Sequence, residues 1–362
     1  MHVSSLTLNN FRNYDEQTIK LINGTNIFWG NNAQGKTNIL ESVYLFCRGK
    51  SIRAKQDTEL IRFGNDFFRV EMDFFDLERK FSGVFVVDKT GKKNIKINNV
   101  AISKLSALMS YFNAVFFTPE DLGLVKGSPS QRRRFMDSAL SQLYPGYLTA
   151  LITYNKTIIQ KNSLLKSLKI AKKKSDSTLE IWNSALATEG VKIMNYRMDF
   201  IEILNRLAAC VQSDISSENL KIRYNSGVNI KDVTYDSYFK YLDEHSAAEI
   251  EFGSSKYGIQ RDDIDIFIDD KDIRMYASQG QQRTAALSLK IAQADYINEI
   301  KEEYPVLLLD DIMSELDINR RKYLWNKIKG KQVLITCTDT DIFEDYSNAK
   351  IFNVVSGTVT GG

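Results

Sequence analysis

The sequence predicts an α/β fold in which a mainly helical lobe is inserted between two parts of one domain. Near the start of the chain, a glycine-rich loop joins an apolar strand to an amphipathic helix. Near the end, the continuous apolar strand Val306–Leu309 stops at two carboxylates. The stretch between them has apolar residues at helical spacing over two long segments. In a chain of 362 residues, we therefore expect residues 1–122 and 256–362 to form one domain and residues 123–255 to form the inserted lobe.

The first third of the chain is predicted to consist of strands around one helix. Alternating or continuous apolar residues indicate strands near Leu6–Leu8, Ile19–Leu21, Ile27–Trp29, Phe68–Phe74, Val84–Val87, Ile95–Ile97 and Val115–Phe117. Between two of these strands lies Lys89-Thr90-Gly91, which predicts an antiparallel hairpin. From Thr37 to about Gly49 the apolar positions recur at helical spacing, which predicts the helix.

The middle third is predicted to be helical. Apolar residues keep a helical period from Tyr147 to about Leu168, and again from Leu179 to Val211. Ser177 and Glu180 have the spacing of a capping box at the start of the second helix. Two long helices joined by a polar loop predict an antiparallel hairpin.

The last third returns to strands and helices. The predicted elements are the strand Ile264–Ile268, the helix Gln281–Ile300, the strand Val306–Leu309 and, after a further helix, the strand Val333–Thr336.

Composition excludes several classes of protein. Hydrophobic residues make up 43% of the chain and charged residues 26%, which is ordinary for a globular protein. With three separated cysteines and two histidines, we expect no disulfide framework, zinc cluster, or Ser–His or Cys–His catalysis. No apolar run reaches the roughly 20 residues that cross a membrane, and the N-terminus lacks a signal-peptide layout. We therefore expect a cytoplasmic protein with no membrane partner. The net charge of +3 permits binding to a polyanion but does not indicate it.

The loop after the third strand carries a phosphate-binding motif, the P-loop. It matches the pattern G-x-x-x-x-G-K-[ST] and lies between a strand and a helix, as that motif requires. Glycines let the backbone approach closely, so that N–H groups and the positive end of the helix face the phosphates. We expect Lys36 to reach the β- and γ-phosphates of ATP and the Thr37 hydroxyl to hold Mg²⁺. The predicted nucleotide-binding residues of the loop are Gly30, Asn31, Asn32, Ala33, Gln34, Gly35, Lys36 and Thr37.

The strand Val306–Leu309 supplies the acidic residues that such a loop needs. Four consecutive apolar residues are typical of a central parallel strand covered on both faces. Asp310, at its end, is expected to hold Mg²⁺ directly or through water, and Asp311 to orient or deprotonate the attacking water. Most of the chain lies between Lys36 and Asp310, which suggests that the helical section is inserted between the halves of one nucleotide site.

A second candidate anion site lies upstream of the acidic strand. Ser278-Gln279-Gly280-Gln281 opens the predicted helix, and the Ser278 hydroxyl and the backbone N–H of Gly280 lie at its N-terminus. A simple helix cap is the alternative interpretation. Because one P-loop already binds one triphosphate, we expect this segment to serve a nucleotide bound to another copy of the chain.

Taken together, these motifs resemble the ABC-type ATPase heads of the SMC-like group, and within it the RecF family. The segments that carry the resemblance are Phe11-Arg12-Asn13-Tyr14, the P-loop with Asn38 after it, Phe117–Leu122, Gln131–Asp137, Ser278–Thr284 and Ser314-Glu315-Leu316-Asp317. It spans Leu8 to about Asp339, nearly the whole chain. The resemblance implies an α/β P-loop ATPase head with an inserted helical lobe. It also adds Arg12 and Asn38 to the expected ATP-binding residues.

Two features depart from related sequences, one at Ile259 and Gln260 and the other at Asp311. Where the family usually has G-P-H-R-D-D, this chain has Gly258-Ile259-Gln260-Arg261-Asp262-Asp263, so a role of that proline and histidine is not transferred. Asp311 stands where transporter ATPases carry glutamate, and the shorter carboxylate fits slow hydrolysis.

The resemblance implies a function in DNA repair, replication, recombination and the SOS response. The chain is expected to be a weak, DNA-stimulated ATPase with ATP and Mg²⁺ as cofactors. Two heads would close on two ATP molecules as an ATP-dependent homodimer, each P-loop facing the signature Ser278, Gln279, Gly280 and Gln281 of the other copy. The dimer would clamp double-stranded DNA near single-strand gaps and, with RecO and RecR, promote RecA loading.

Basic residues supply candidates for DNA contacts. Arg53 and Lys55 follow the P-loop helix, and Arg53 resembles a position that lies near both nucleotide and DNA in related heads. Lys172, Lys173 and Lys174 lie in the loop of the predicted helical hairpin, where a solvated tip is an equal alternative. Arg132–Arg134 are open to two interpretations, DNA contacts or ion pairs at the base of the lobe.

Two alternatives come from other classes. A transporter ATPase subunit would usually carry a histidine after the last strand, where this chain has Thr336-Cys337-Thr338-Asp339. A non-hydrolysing structural protein that binds nucleic acid is the second alternative, against which the complete set of P-loop and acidic residues argues.

Overall fold

The computed structural model describes residues 1–77, 79–339 and 348–361, which divide into two compact units. Unit 1 comprises Met1–Asp121, Asp214–Ser216 and the described residues from Ala286 onward. Unit 2 comprises Leu122–Ser213 and Ser217–Ala285. The sequence-based division ends the inserted lobe at residue 255, whereas unit 2 continues to Ala285.

The strands and helices of the described residues are as follows. In chain order the strands are β1 (His2–Phe11), β2 (Tyr14–Lys20), β3 (Thr25–Trp29), β4 (Phe67–Asp76), β5 (Arg79–Asp88), β6 (Lys93–Ile97), β7 (Val100–Ala101), β8 (Ala114–Phe117), β9 (Leu220–Asn225), β10 (Asp263–Ile268), β11 (Lys271–Asp272), β12 (Val306–Asp310), β13 (Val333–Cys337), β14 (Lys350–Val355) and β15 (Thr358–Thr360). The α-helices are α1 (Lys36–Arg48), α2 (Leu105–Met109), α3 (Gly123–Lys126), α4 (Pro129–Leu143), α5 (Pro145–Ile170), α6 (Thr178–Ser216), α7 (Tyr235–Glu244), α8 (Ser246–Phe252), α9 (Ile273–Tyr276), α10 (Gln279–Lys301) and α11 (Ile318–Ile328).

Unit 1 contains an antiparallel sheet and a largely parallel one. The antiparallel sheet has the order β2-β1-β4-β5-β6-β7, and β5 and β6 pair as the predicted hairpin. The second sheet has the order β15-β14-β3-β13-β12-β8, in which β12 pairs in parallel with β13 and β8. The prediction that the acidic strand is a central parallel strand is therefore confirmed. Since β3 and β12 lie on either side of β13, their C-terminal ends meet at the same edge of the sheet.

Helix α1 packs against both sheets, which explains why it is apolar nearly all round. Residues 39–47 are all buried. Phe46 contacts Phe85 of the antiparallel sheet, with ring centroids 6.0 Å apart. Tyr44 contacts Phe116 of the parallel sheet at 5.3 Å. This packing fixes the helix that follows the P-loop.

Unit 2 contains a helical hairpin and a small antiparallel sheet. Leu168 near the end of α5 packs with Leu179 at the start of α6, and Arg197 of α6 donates to Tyr147 near the start of α5. The predicted antiparallel hairpin is therefore confirmed. The sheet has the order β11-β10-β9, and the pairing of β9 with β10 holds residues 263–268 in this unit.

The predicted capping box at the start of α6 is wrong. Ser177 has helical backbone angles and makes no side-chain cap. Instead, Asp176 Oδ1 accepts a hydrogen bond of 2.8 Å from the backbone N–H of Thr178. The carboxylate two residues upstream competes successfully for the helix N–H groups.

Among the described residues, no helix combines the length and the apolar character needed to cross a lipid bilayer.

Candidate nucleotide site

The P-loop packs so closely against its neighbours that two of its positions require glycine. Gly30 has a φ of 152° and Gly35 a φ of 111°. A Cβ atom on Gly30 would lie 2.3 Å from the carbonyl oxygen of Val354. On Gly35 it would lie 2.5 Å from Asn13 Nδ2. The loop from Gly30 to Gly35 therefore forms a tight turn that leads directly into α1.

Hydrogen bonds from three residues in two other segments hold the loop in this shape. Asn13 Nδ2 and the backbone N–H of Gly357 both donate to the carbonyl oxygen of Gln34, at 2.8 and 3.1 Å. The Tyr14 hydroxyl donates to the carbonyl oxygen of Gly35 at 3.0 Å. Sequence reasoning assigned no role to Asn13 or Tyr14, although both belong to the segment that carries the family resemblance.

Lys36 lies within the turn of the P-loop. Its Nζ donates to the carbonyl oxygens of Gly30 and Asn31, at 2.5 and 2.9 Å. The side chain is buried, and this burial lowers the pKa of Lys36. Asn31, Asn32 and Ala33 are exposed, so these residues of the loop are accessible to solvent while its lysine is buried.

Thr37 and Asp310, far apart in sequence, meet at the edge of the parallel sheet. The Thr37 hydroxyl donates to Asp310 Oδ1 at 2.7 Å, and the Thr336 hydroxyl donates to the same oxygen at 2.7 Å. Burial raises the pKa of Asp310, although both hydroxyl groups favour its ionised form. The sequence analysis did not assign Thr336 to the site. Its position near the end of the predicted strand that became β13 is the feature that could have indicated it.

Asp311 follows β12 in a left-handed backbone conformation, with a φ of 51°. Its backbone N–H donates to Thr336 Oγ1 at 2.9 Å. The Ser314 hydroxyl donates to the carbonyl oxygen of Asp311 at 2.8 Å and to its carboxylate at 3.1 Å. The carboxylate predicted to act on water is thus oriented by its own turn.

A pocket of about 520 Å³ lies beside the P-loop. Its lining residues are Arg12, Asn13, Asn38, Arg53, Ala54, Glu59 and Ile61. The structure therefore brings three predicted residues together here: Arg12 and Asn38, expected to bind ATP, and Arg53, expected to bind DNA. Lys55, the other residue predicted beside Arg53, is exposed.

Arg12 and Arg53 share one buried carboxylate that sequence reasoning missed. The Glu41 side chain is fully buried and forms ion pairs with Arg12 at 3.1 Å and Arg53 at 2.7 Å. Although burial alone would raise it, hydrogen bonds from Arg53 and Ser51 lower the pKa of Glu41. The signal in the sequence was an acidic residue within the otherwise apolar run of α1.

The predicted signature segment lies in unit 2, at the start of α10. Ser278 Oγ accepts from the backbone N–H of Gln281 at 3.2 Å, and Gln281 Oε1 accepts from the N–H of Ser278 at 2.7 Å. Gln282 Nε2 donates to the carbonyl oxygen of Ala277 at 2.9 Å. Gln279 and Gly280 lie between these residues in the first turn of the helix. The segment therefore forms a hydrogen-bonded helix cap, which matches the alternative interpretation and is also compatible with an anion site.

The remaining basic candidates separate into exposed and buried groups. Lys172, Lys173 and Lys174 are exposed between α5 and α6. Arg132 is buried and donates to both carboxylate oxygens of Asp263, at 2.6 and 2.9 Å. Arg132 therefore makes a structural ion pair within unit 2.

The departure at residues 258–263 is accommodated by hydrogen bonds. Gln260 Oε1 accepts from the Tyr154 hydroxyl at 2.9 Å, and Gln260 Nε2 donates to the carbonyl oxygen of Tyr257 at 3.0 Å. Buried Asp262 pairs with Arg197 at 2.6 Å. The glutamine that replaces the usual histidine is thus part of the polar network that joins α5 to this turn.

The residues present fit Mg-ATP. A hydroxyl and a carboxylate lie side by side at Thr37 and Asp310, and hard oxygen donors of this kind suit Mg²⁺. A lysine and a closely wound loop that only glycine permits at two positions complete the phosphate-binding chemistry.

Comparison with known proteins decides the family. The model of the RecF/RecN/SMC N-terminal domain matches residues 2–360. A DNA replication and repair protein RecF from Clostridium perfringens is 41% identical over 99% of this chain and 99% of its own length. The chain belongs to the RecF family. Another DNA replication and repair protein RecF, from Clostridioides difficile, is 38% identical to this RecF-family chain. The match covers 99% of this chain and 98% of the relative's own length.

Solved structures agree with this assignment. The recombination mediator protein RecF-ATPrS in the RecFOR pathway superimposes with a TM-score of 0.93 at 34% identity, over 99% of this RecF-family chain and 98% of that one. An Smc head bound to the C-winged helix domain of ScpA has a TM-score of 0.58 at 16% identity, over 99% of this chain and 96% of that one, which shows a shared fold alone. The predicted α/β, SMC-like ATPase head is confirmed, and these comparisons give the transporter alternative no support.

Proposed function

We propose that this chain binds and slowly hydrolyses ATP in DNA replication and recombinational repair. The observation that carries the proposal is the 2.7 Å hydrogen bond between Thr37 and Asp310, which joins the P-loop helix to the acidic strand. A hydroxyl and a carboxylate beside Lys36 are the set of groups that a P-loop ATPase uses. A solved RecF-ATP structure, with a TM-score of 0.90 to this chain, supports ATP as the ligand.

Each residue of the site has a task in this proposal. Residues 30–37 supply N–H groups and the Lys36 ammonium to the phosphates, and Lys36 exchanges its two carbonyl acceptors for phosphate oxygens. Thr37 and Asp310 would hold Mg²⁺, which would neutralise phosphate charge when bound. Asp311, oriented by Ser314, accepts the proton of the attacking water.

The pocket beside the P-loop takes the other end of the nucleotide. Its volume of about 520 Å³ is in the range of small-molecule sites. Arg12 and Asn38 line it and supply guanidinium and amide groups to the nucleotide. These contacts position ATP with its phosphates in the P-loop.

Closure in trans provides the link to DNA. In this proposal, the Ser278–Gln281 segment of one copy caps the ATP bound to the other, and the resulting homodimer clamps double-stranded DNA near gaps. Arg53, Lys55 and the exposed residues Lys172–Lys174 are the proposed DNA contacts. We propose RecO and RecR as the partners with which this dimer promotes RecA loading. The similar recombination mediator protein RecF of the RecFOR pathway supports the mediator role.

Two substitutions test the nucleotide site directly. In calorimetry with Mg-ATP, Lys36→Ala should lose measurable binding because the charge that faces the phosphates is removed. Asp311→Asn should bind ATP with the parent's affinity and release no phosphate, since the amide cannot accept a proton. Unchanged affinity in Lys36→Ala would remove the P-loop assignment. Normal turnover in Asp311→Asn would give the base role to another residue.

A further inference from the structure

A glutamate outside the signature segment Ser278–Gln281 holds one of the side chains of that segment. Glu218 Oε1 accepts a hydrogen bond of 2.9 Å from Gln281 Nε2. Gln281 Oε1 in turn accepts from the backbone N–H of Ser278 at 2.7 Å. All three residues belong to unit 2. Two hydrogen bonds therefore lead from Glu218 to the backbone of the residue proposed to face the ATP of the other copy.

The carboxylate of Glu218 fixes the direction in which the Gln281 amide turns. An ionised carboxylate only accepts hydrogen bonds, so Gln281 must direct Nε2 towards Glu218 and Oε1 towards the N–H of Ser278. In the reverse orientation, two acceptors would meet at Glu218 and two donors would meet at Ser278. Ser278 Oγ accepts from the backbone N–H of Gln281, which leaves the hydroxyl its own proton to donate to an anion.

The C-terminal end of α6 holds Glu218 in its turn. Gln212, fully buried near the end of this helix, donates from Nε2 to Glu218 Oε2 at 3.0 Å. Ser217 ends the helix in a left-handed conformation with a φ of 57°, and its N–H donates to the carbonyl oxygen of Ser213 at 3.2 Å. The chain therefore turns back at Ser217, and Glu218 lies beside Gln212. The two oxygens of one carboxylate connect α6 to α10.

We infer that Glu218 is a positioning residue for closure in trans, because it sets the shape of the Ser278–Gln281 segment that faces the ATP of a second copy. Glu218 acts through Gln281 and leaves the nucleotide to Ser278. Without this carboxylate, the Gln281 amide can turn and the Ser278 N–H loses its acceptor. The segment then has to be ordered again each time two copies close. The inference rests on the proposed function, since it needs an ATP-dependent dimer.

The test compares dimerisation with ATP binding in the full chain. Sedimentation velocity with Mg-ATP gives the dissociation constant of the dimer, and a fluorescent ATP analogue gives the affinity of the monomer. Glu218→Met keeps the length of the side chain and removes both acceptor oxygens. It should weaken the dimer by about ten-fold or more, since a hydrogen bond to a charged group is lost at both contacts of a symmetric dimer. Its affinity for ATP should equal the parent's, because Lys36 and the P-loop are unchanged.

Glu189→Met is the matched control. Glu189 is also a half-buried glutamate of unit 2 and pairs with Lys192 at 3.0 Å. It lies on α6 about 35 Å along the helix from Gln212. This variant makes the same chemical change away from the signature segment, so it should keep the parent's values for both the dimer and ATP.

A double-mutant cycle separates positioning from a general loss of stability. Gln281→Met should weaken the dimer, because it removes the amide that Glu218 orients. If Glu218 acts through Gln281, adding Glu218→Met to Gln281→Met should cause little further loss. A lesion that only destabilises unit 2 would instead add its full effect to that of Gln281→Met.

The outcomes distinguish this inference from the proposed function. If Glu218→Met dimerises as tightly as the parent, or if the two losses add in full, the inference is wrong and the proposed function stands. If the parent forms no dimer with ATP, the inference and the trans closure of the proposed function both fail. Should Glu218→Met not fold, Glu218→Gln replaces it. That variant has one acceptor oxygen in place of two, and a dimer as tight as the parent's would overturn the inference.

Discussion

Replacing Gly35 by alanine measures how firmly the P-loop is packed. The φ of 111° at Gly35 costs an L-residue roughly 1–3 kcal/mol. A Cβ there would lie 2.5 Å from Asn13 Nδ2 and 2.7 Å from Asn13 Oδ1, so Asn13 has to move. Asn13 then loses its hydrogen bonds to Gln34 and Asn38, both 2.8 Å long. At about 0.5–1.5 kcal/mol for each bond, this displacement adds about 1–3 kcal/mol to the backbone strain.

Gly64→Ala is the matched control for this substitution. Gly64 also has a left-handed backbone, with a φ of 87°, but a Cβ there meets nothing within 4 Å. The control therefore carries backbone strain without the collision. The difference between the two variants is the free energy of displacing Asn13 from the loop.

Thermal unfolding and ATP binding supply the measurements. Since 1 kcal/mol moves the midpoint by about 2–4 °C in a domain of this size, Gly35→Ala should unfold several degrees below Gly64→Ala. Its affinity for a fluorescent ATP analogue should fall at least ten-fold, whereas Gly64→Ala should keep the parent's affinity. Equal midpoints and equal affinities in the two variants would refute the reasoning that Asn13 holds the loop.

Three further predictions concern charge. Because burial raises the pKa of Asp310, its contribution to stability is present below the unfolded pKa of about 4 and is lost as the pH rises through the folded value. The midpoint of thermal unfolding should therefore fall less between pH 4 and pH 7 in Asp310→Asn than in the parent. Equal falls in the two proteins would contradict this prediction. Lys161→Met should lower the free energy of unfolding in urea by about 3–5 kcal/mol, because it leaves the buried Glu249 carboxylate without its ion-pair partner. Adding Glu249→Leu to the same chain should restore most of this loss. A Lys161→Met variant as stable as the parent would refute the prediction. Neutralising Arg53 or one lysine of Lys172–Lys174 should lower the salt slope of DNA binding by about one per lost phosphate contact, and an unchanged slope would remove that residue from the DNA surface.

The parts of the site that lie next to one another in sequence were predictable. The P-loop and the helix after it are specified by local backbone and periodicity requirements, and the apolar run before Asp310 identifies a buried parallel strand. Their meeting follows from the rule that the C-terminal ends of parallel strands share one edge of a sheet. The meeting of Thr37 and Asp310 could therefore be predicted at the level of single residues.

The supporting residues depend on tertiary packing and were not predictable in the same way. Asn13 contacts the P-loop because β1 and β2 place their turn beside it, and Glu41 is buried because α1 is covered by both sheets. The predicted cap of α6 was wrong for a different reason. Asp176 and Ser177 both suit the start of a helix, and sequence spacing does not decide which of the two side chains accepts a hydrogen bond from the helix backbone. The extent of unit 2 depends on the pairing of β9 with β10, a non-local contact with no local signal.

Sedimentation velocity of the parent and of Ser278→Arg, with and without Mg-ATP, tests the central claim most directly. The parent should sediment as a monomer without nucleotide and as a dimer with ATP. Ser278→Arg places bulk and charge where the second copy's phosphates must lie, so it should remain a monomer while binding ATP with the parent's affinity. If Ser278→Arg dimerises with ATP and holds duplex DNA as tightly as the parent, closure in trans through this segment is contradicted.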